Sequence, residues 1–454
     1  MLLPLNLKMA RGSTRGRRAV GGGAATLALV TSAALLAACG SSPSSSSSSG
    51  GTLKIITWVN PPAVAAIKKI DAEFEKANPG VKVSLGTAEN VNGPYKTMLQ
   101  STVSSTSADI VTNVTQAQPM PPKPTTSNMT AWQNWTSHGV FAPLNGQPWL
   151  KDYTPAARQA ETVNGKTYGV VSGEYQEGVF YNKKTFAKYG LAPPKTYSQF
   201  LKVLDTLKSK GVTPMYVGLG AVGPVYLQFI YYELMASVWQ PHVPGQTLGK
   251  DLETGVVKWT DPHFTQVMNE EKKLAQYLEP GYTGEPWQGM PGAFANGKAA
   301  MLLDGSWDLA SVQKANPSMQ VGFFPLPGSN NPADNQSEIQ NDLTFSVLNG
   351  SPHKALAMKW LAFFSQPKIY SQYVDITGIS SSQVSGKFNS YAAKVLGPWF
   401  GKGANDGVFF PILADTNKYW DQPANWPTLQ QDMINGKKTP AQVEQLYQSD
   451  WQTS

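Results

Sequence analysis

The sequence predicts an α/β fold in two lobes, and three observations carry that expectation. Strand-like and helix-like segments alternate from Thr52 to Thr112, the pattern of a parallel sheet whose strands are joined by crossover helices. Roughly 400 residues follow a serine-rich low-complexity segment, more than one hydrophobic core usually covers. Charged residues make up 15% of the 454-residue chain and aromatics 11%, with 13 Trp, so the body has aromatic surface to offer a ligand.

Residues 1–38 carry Lys8, Arg11, Arg15, Arg17 and Arg18 and no acidic residue, followed by the apolar run from Ala24 to Leu36. That order is a secretion signal. The run is shorter than the roughly 20 residues a stable spanning helix takes, which favours cleavage over anchoring. Arg17-Arg18 leaves open whether export is general or twin-arginine. Cys39 is the only cysteine and stands in Leu36-Ala37-Ala38-Cys39-Gly40, where cleavage makes it the new N-terminal residue. This resembles a bacterial lipobox, and the resemblance implies acyl chains on Cys39 that hold the protein at the outer face of the cell membrane. Each buried CH2 of such chains gives about 0.8 kcal/mol. From Ser41 to Gly51 there is no apolar residue to bury, so 39–51 is expected to be a lipidated cysteine followed by a flexible tether.

The formal charge of +7 shrinks on division: five of the 37 basic residues lie in the signal, leaving 32 against 30 acidic ones. A body near neutrality carries no basic field for nucleic acid.

Within the body, Thr52 to Trp58 reads as a buried strand. Asn60-Pro61-Pro62 stops it, and Ala63 to Ala77 places Val64, Ile67, Ile70 and Phe74 at helical spacing until Asn78-Pro79-Gly80. Val81 to Leu85 is a second strand, Tyr95 to Ser104 a helix and Ala108 to Thr112 a third strand. Ligands sit beyond the carboxyl ends of such strands, which makes Asn60 and Gln116 candidates. Tyr168 to Ser172 and Gly178 to Tyr181 read as extended segments either side of Gly173 to Gln176. Phe200 to Lys210 is a helix, Thr213 to Val217 a strand and Val225 to Trp239 an apolar helix. Gly297 to Leu303 turns into a buried strand that delivers Asp304-Gly305-Ser306-Trp307 at its carboxyl end.

The run from Val179 to Phe200, with Tyr181-Asn182-Lys183 and Pro193-Pro194, resembles a signature of family 1 extracellular solute-binding proteins of ABC importers. Phe294 to Trp307 is similar to a second signature, and Val321-Gly322-Phe323-Phe324-Pro325-Leu326-Pro327 to a third. The likeness runs from about residue 52 to the C-terminus. It implies a two-lobed periplasmic-binding-protein-like fold with three inter-lobe crossings, near residues 172, 325 and 380. The N-terminal lobe is then 52–172 plus 326–380, and the C-terminal lobe 173–325 plus 381–454.

The resemblance also implies a di- or oligosaccharide ligand, a monomer, and delivery to ABC permease subunits, with the ATPase on the far side of the membrane. Trp307 offers an apolar face to the C–H side of a pyranose, and carboxylates or amides beside it accept hydroxyl hydrogens. In the family this position commonly stacks on sugar, although a tryptophan opening a helix also serves as a core anchor. Trp420 matches the C-terminal stacking position and Tyr226 the site-facing aromatic, each with a core role as the alternative. Glu174 and Tyr175 lie at the first crossing, where the family places ligand contacts. Asp304 stands next to the stacking position.

No enzyme is expected. His138, His242, His263 and His353 show no His-x-x-x-His spacing, so no zinc site is indicated, and no Gly-x-Ser-x-Gly elbow is present. Gly218-Leu-Gly-Ala-Val-Gly223 matches a dinucleotide pattern, but mid-chain and without the acidic partner the fingerprint needs; no cofactor is expected. Two readings stay open beside sugar capture: a peptide or polyol ligand in the same fold, and a secreted glycoside hydrolase with carboxylates from distant positions.

Overall fold

The computed structural model describes residues 51–89, 93–114, 124, 126, 129–218, 227–239, 241–242, 251–252, 254–385, 390–399, 404–405 and 426–453. Cys39, Gln116, Tyr226 and Trp420 lie outside the described residues. No helix among the described residues is long and apolar enough to cross a membrane.

Two sheets organise the body. The first holds β1 (Gly51–Trp58), β2 (Val81–Ala88), β3 (Ile110–Val114), β6 (Val170–Val171) and β12 (Leu343–Val347), in the order β2-β1-β3-β12-β6. β4 (Thr162–Val163) and β5 (Lys166–Thr167) form a separate two-stranded unit. The parallel pairs are β1 with β2, over the full length of both, and β1 with β3, as the strand–helix alternation requires. The connecting helix Pro61–Ala77 buries Ala63, Ala66, Ile67, Ile70, Asp71 and Phe74. Two alanines thus take the sheet side, and Val64 is only partly covered. Buried Asp71 accepts the indole N–H of Trp360 at 2.9 Å, and Trp360 stacks on Phe364 at 5.5 Å in the core that also holds Phe345, Tyr370 and Tyr373.

The second sheet holds β7 (Glu174–Asn182), β8 (Met215–Tyr216), β9 (Met301–Gly305), β10 (Val321–Phe324), β11 (Glu338–Asn341) and β13 (Ala404–Asn405). Its order is β13-β11-β7-β9-β8, with β10 also on β7. β7 is the organising strand: Glu174, Tyr175 and Gln176 face Asn341, Gln340 and Ile339, while Val179 to Asn182 face Phe324 to Val321. On its other edge Glu177 lies opposite Gly305. All three of these pairings are antiparallel, so strand alternation predicts the first sheet's topology better than the second's. Helices Tyr197–Ser209, Leu227–Val238 and Pro262–Leu274 pack with this sheet, burying Phe200, Leu204, Tyr231 and Phe264 with Tyr447.

The chain passes between the sheets at Ser172-Gly173, between β6 and β7. It returns at Asp342, between β11 and β12, rather than near 325. Pro325 and Pro327 read as a link in sequence, but Leu326 is bound to the helix Leu227–Val238: its N–H reaches Glu233 at 3.4 Å and its carbonyl accepts from Ser237 at 2.9 Å. After Thr377 the chain keeps to the first body through Val384, whose N–H donates to Asp152 O at 2.9 Å. The helix Tyr391–Leu396 then packs with Phe180 and Phe323 of the second sheet, so the last passage falls after 384 and not at 380. These segments are tied to one another. Asp342 N–H donates to Gly173 O at 2.8 Å, Ser172 N–H to Leu343 O at 2.7 Å, and Glu174 N–H to Ser380 O at 3.0 Å. Asp342 is buried and accepts both Ser172 Oγ and Tyr373 Oη at 3.0 Å.

Candidate functional site

Pairing of β7 with β9 brings together three of the residues expected at a site, Tyr175, Asp304 and Trp307, while Glu174 opens β7 one residue before Tyr175 and so turns to the other face of the sheet. Because Glu177 faces Gly305, the start of β7 and the turn leaving β9 meet at one end of the sheet. That turn is the short helix Ser306–Asp308. The ring of Tyr175 meets Trp307 edge-on, with centroids 4.6 Å apart and planes at 85°. Phe229 lies 5.8 Å from the indole on a further side.

Trp307 is partly exposed and belongs to none of the buried clusters around either sheet. The indole lies beside the Asp308 side chain, as do Asp304 and Ser311, and all three lower its proton affinity. Below the ring, Ser306 Oγ accepts the N–H of Gln176 at 3.1 Å. The indole is therefore flanked by two aromatic neighbours before any ligand arrives, which is the pre-organisation a binding face needs.

Asp304 is fully buried, and burial first, then the charge of Asp308, pushes its carboxyl well above the usual range. It keeps a proton and lies beside Asp308, whose own value rises to about 6 because burial outweighs the neighbours that lower it. Asp304 Oδ1 also accepts Gly305 N–H at 2.8 Å. Its place is thus beneath the site, braced against Asp308, rather than open to a ligand. Glu174 differs. It is half-buried, no donor among the described residues reaches its carboxylate, and burial alone raises it to about 7. A desolvated carboxylate without a partner suits a ligand that supplies hydroxyl donors.

Two residues of the site do not stand out in the sequence. Gln340, buried on β11, accepts Tyr175 Oη at 2.5 Å and leaves its amide Nε2 without a hydrogen bond among the described residues. Asp308, four residues after Asp304, ends the short helix Ser306–Asp308 that leaves β9. Asn60 stands on the first sheet, after β1, where its Oδ1 accepts Ala63 N–H at 3.4 Å and caps the helix Pro61–Ala77. That capping accounts for an Asn before two prolines without a ligand.

Glu177, Glu233 and Glu338 each bring a carboxylate oxygen within 4.8 Å of the others, close enough in principle to hold a cation. Burial raises Glu233 to about 8, and it accepts the N–H groups of Leu326 and Glu338. A proton and backbone donors balance that residue at neutral pH.

Residues 59–370 match the family model described as bacterial extracellular solute-binding protein. The chain is 25% identical over 319 residues to the multiple sugar-binding protein of Streptococcus mutans, covering 69% of this chain and 71% of that one. It is 24% identical over 331 residues to the melibiose/raffinose/stachyose-binding protein MelE of Bacillus subtilis, covering 72% of each. Among solved structures, a sugar transporter from Bacillus licheniformis in complex with stachyose aligns with a TM-score of 0.68 at 20% identity. That alignment covers 89% of this chain and all of the other.

Proposed function

The chain belongs to the bacterial extracellular solute-binding protein family and has its two-lobed α/β fold, and from that premise we propose that it captures a di- or oligosaccharide at Trp307. The carrying observation is the constellation at the start of β7: an indole flanked by Tyr175 and Phe229, with the half-buried carboxylate of Glu174 opening the same strand. A pyranose is amphipathic in the same sense, with C–H faces for the ring and hydroxyl edges for the carboxylate and the Gln340 amide. Relatives named for sugars support the same class.

Capture follows from the three passages between the sheets. A ligand that touches both bodies favours the form in which they approach, and it shifts the population by its differential affinity for that form. The complex then docks on an ABC permease, and the protein itself performs no reaction. The lipobox-like segment at Cys39 supports tethering of the body at the outer face of the membrane. A mature N-terminus other than an acylated Cys39, read by mass spectrometry of membrane-bound protein, refutes the anchor.

A thermal-shift screen of residues 52–454 against raffinose, stachyose, maltotriose, xylotriose and chitotriose tests the ligand class. Sugar at about 100 times its dissociation constant adds about 2.7 kcal/mol, which is several degrees of melting temperature for bodies of this size. A shift with one sugar class and recovery of the sugar uncleaved is the expected result. Shifts only with peptides or polyols in parallel wells, or cleavage products, contradict it.

A further inference from the structure

The indole of Trp307 fills the space that a side chain on Gly305 would need. A Cβ built on Gly305 would lie 1.8 Å from Trp307 Cζ3 and 2.1 Å from both Cε3 and Cη2, and these are its three nearest atoms. Nothing in the backbone calls for glycine here: Gly305 has φ −97° and ψ 163°, an extended conformation open to any residue. The usual reasons for a glycine are therefore missing, and only the ring explains it.

Neither partner is free to yield. Gly305 is the last residue of β9, opposite Glu177 on β7, and its N–H is held by Asp304 Oδ1 at 2.8 Å. The indole is packed against Tyr175, with Phe229 beyond and the Asp308 side chain beside it. A methyl group added at 305 must push the indole off all three contacts.

We infer that Gly305 is a positioning residue: its missing side chain seats the Trp307 ring over the strand end and so sets where the binding face lies. The functional half of this inference rests on Trp307 being that face; the seating itself rests on the geometry alone.

A four-protein cycle separates the two. Wild type, Gly305→Ala, Trp307→Ala and the double variant are compared for melting temperature without sugar and for affinity toward the five sugars of the screen. With Trp307 present, Gly305→Ala is expected to lower the melting temperature by several degrees and to weaken sugar binding at least tenfold. In the Trp307→Ala background the same change is expected to leave affinity within twofold. There it should leave the melting temperature unchanged or raised, because alanine restricts the unfolded chain and fits the native φ and ψ. Equal Gly305→Ala effects in both backgrounds, or none in either, overturn the seating while the site reading stands. Wild-type affinity in Trp307→Ala overturns the binding face, and with it any role of Gly305 in binding; the melting temperatures still decide the seating.

Discussion

Replacing Trp307 by alanine is expected to weaken sugar binding tenfold or more while the protein stays folded. The two halves of that expectation have separate causes. Stacking of a pyranose on an indole is lost outright in alanine, and each tenfold in affinity corresponds to about 1.4 kcal/mol, within what one aromatic contact supplies at a desolvated site. Folding is spared because Trp307 is partly exposed and lies outside the buried clusters of both sheets. Tyr175 keeps its bond to Gln340, and Asp304 keeps the N–H of Gly305. Calorimetric titration checks affinity and thermal unfolding checks integrity. Unchanged affinity in a folded variant removes Trp307 from the site.

The second large effect is on stability and pH. Burial raises Asp71 to about 7, Glu233 to about 8, Glu279 to about 8 and Asp342 to about 6. In each case hydrogen bonds to the carboxylate only partly offset desolvation. The unfolded chain releases these protons near pH 4, whereas the folded chain keeps them until pH 6 to 8. The folded state thus binds more protons across that window, and stability falls as pH rises through it. The sugar-free body is expected to lose several degrees of melting temperature between pH 5 and about 8.5. Glu233→Gln removes one of these titrations and is expected to shrink the loss between the two pH values, although its amide keeps one acceptor oxygen for the two N–H groups, of Leu326 on Oε2 and of Glu338 on Oε1. A melting temperature that climbs over the same range contradicts the assignment of these groups as buried acids.

The first sheet was legible because its causes are local. Leu53 and Ile55 read as a strand, Asn60-Pro61-Pro62 as a break and cap, and Ile67, Ile70 and Phe74 as one helix face. The passage at Asp342 was not legible, since what keeps Leu326 with the second body is Glu233 and Ser237, about 90 residues earlier. The same distinction divides the site. Trp307 and Glu174 stood out by type and by place after or before a strand. The meeting of Trp307 with Tyr175 depends on the register that sets Glu177 against Gly305, and Gln340 enters only because β11 lies on the other edge of β7. Asn60 shows the converse: its type and position suggested a ligand, while its side chain is engaged in a cap.

The most direct test is where a bound sugar lies, read from a crystal of residues 52–454 grown with the sugar that shifts its melting temperature. The expected density is a pyranose ring on the Trp307 indole with a hydroxyl on the Glu174 carboxylate. Sugar bound elsewhere, with Trp307 and Glu174 both out of contact, contradicts the proposed site.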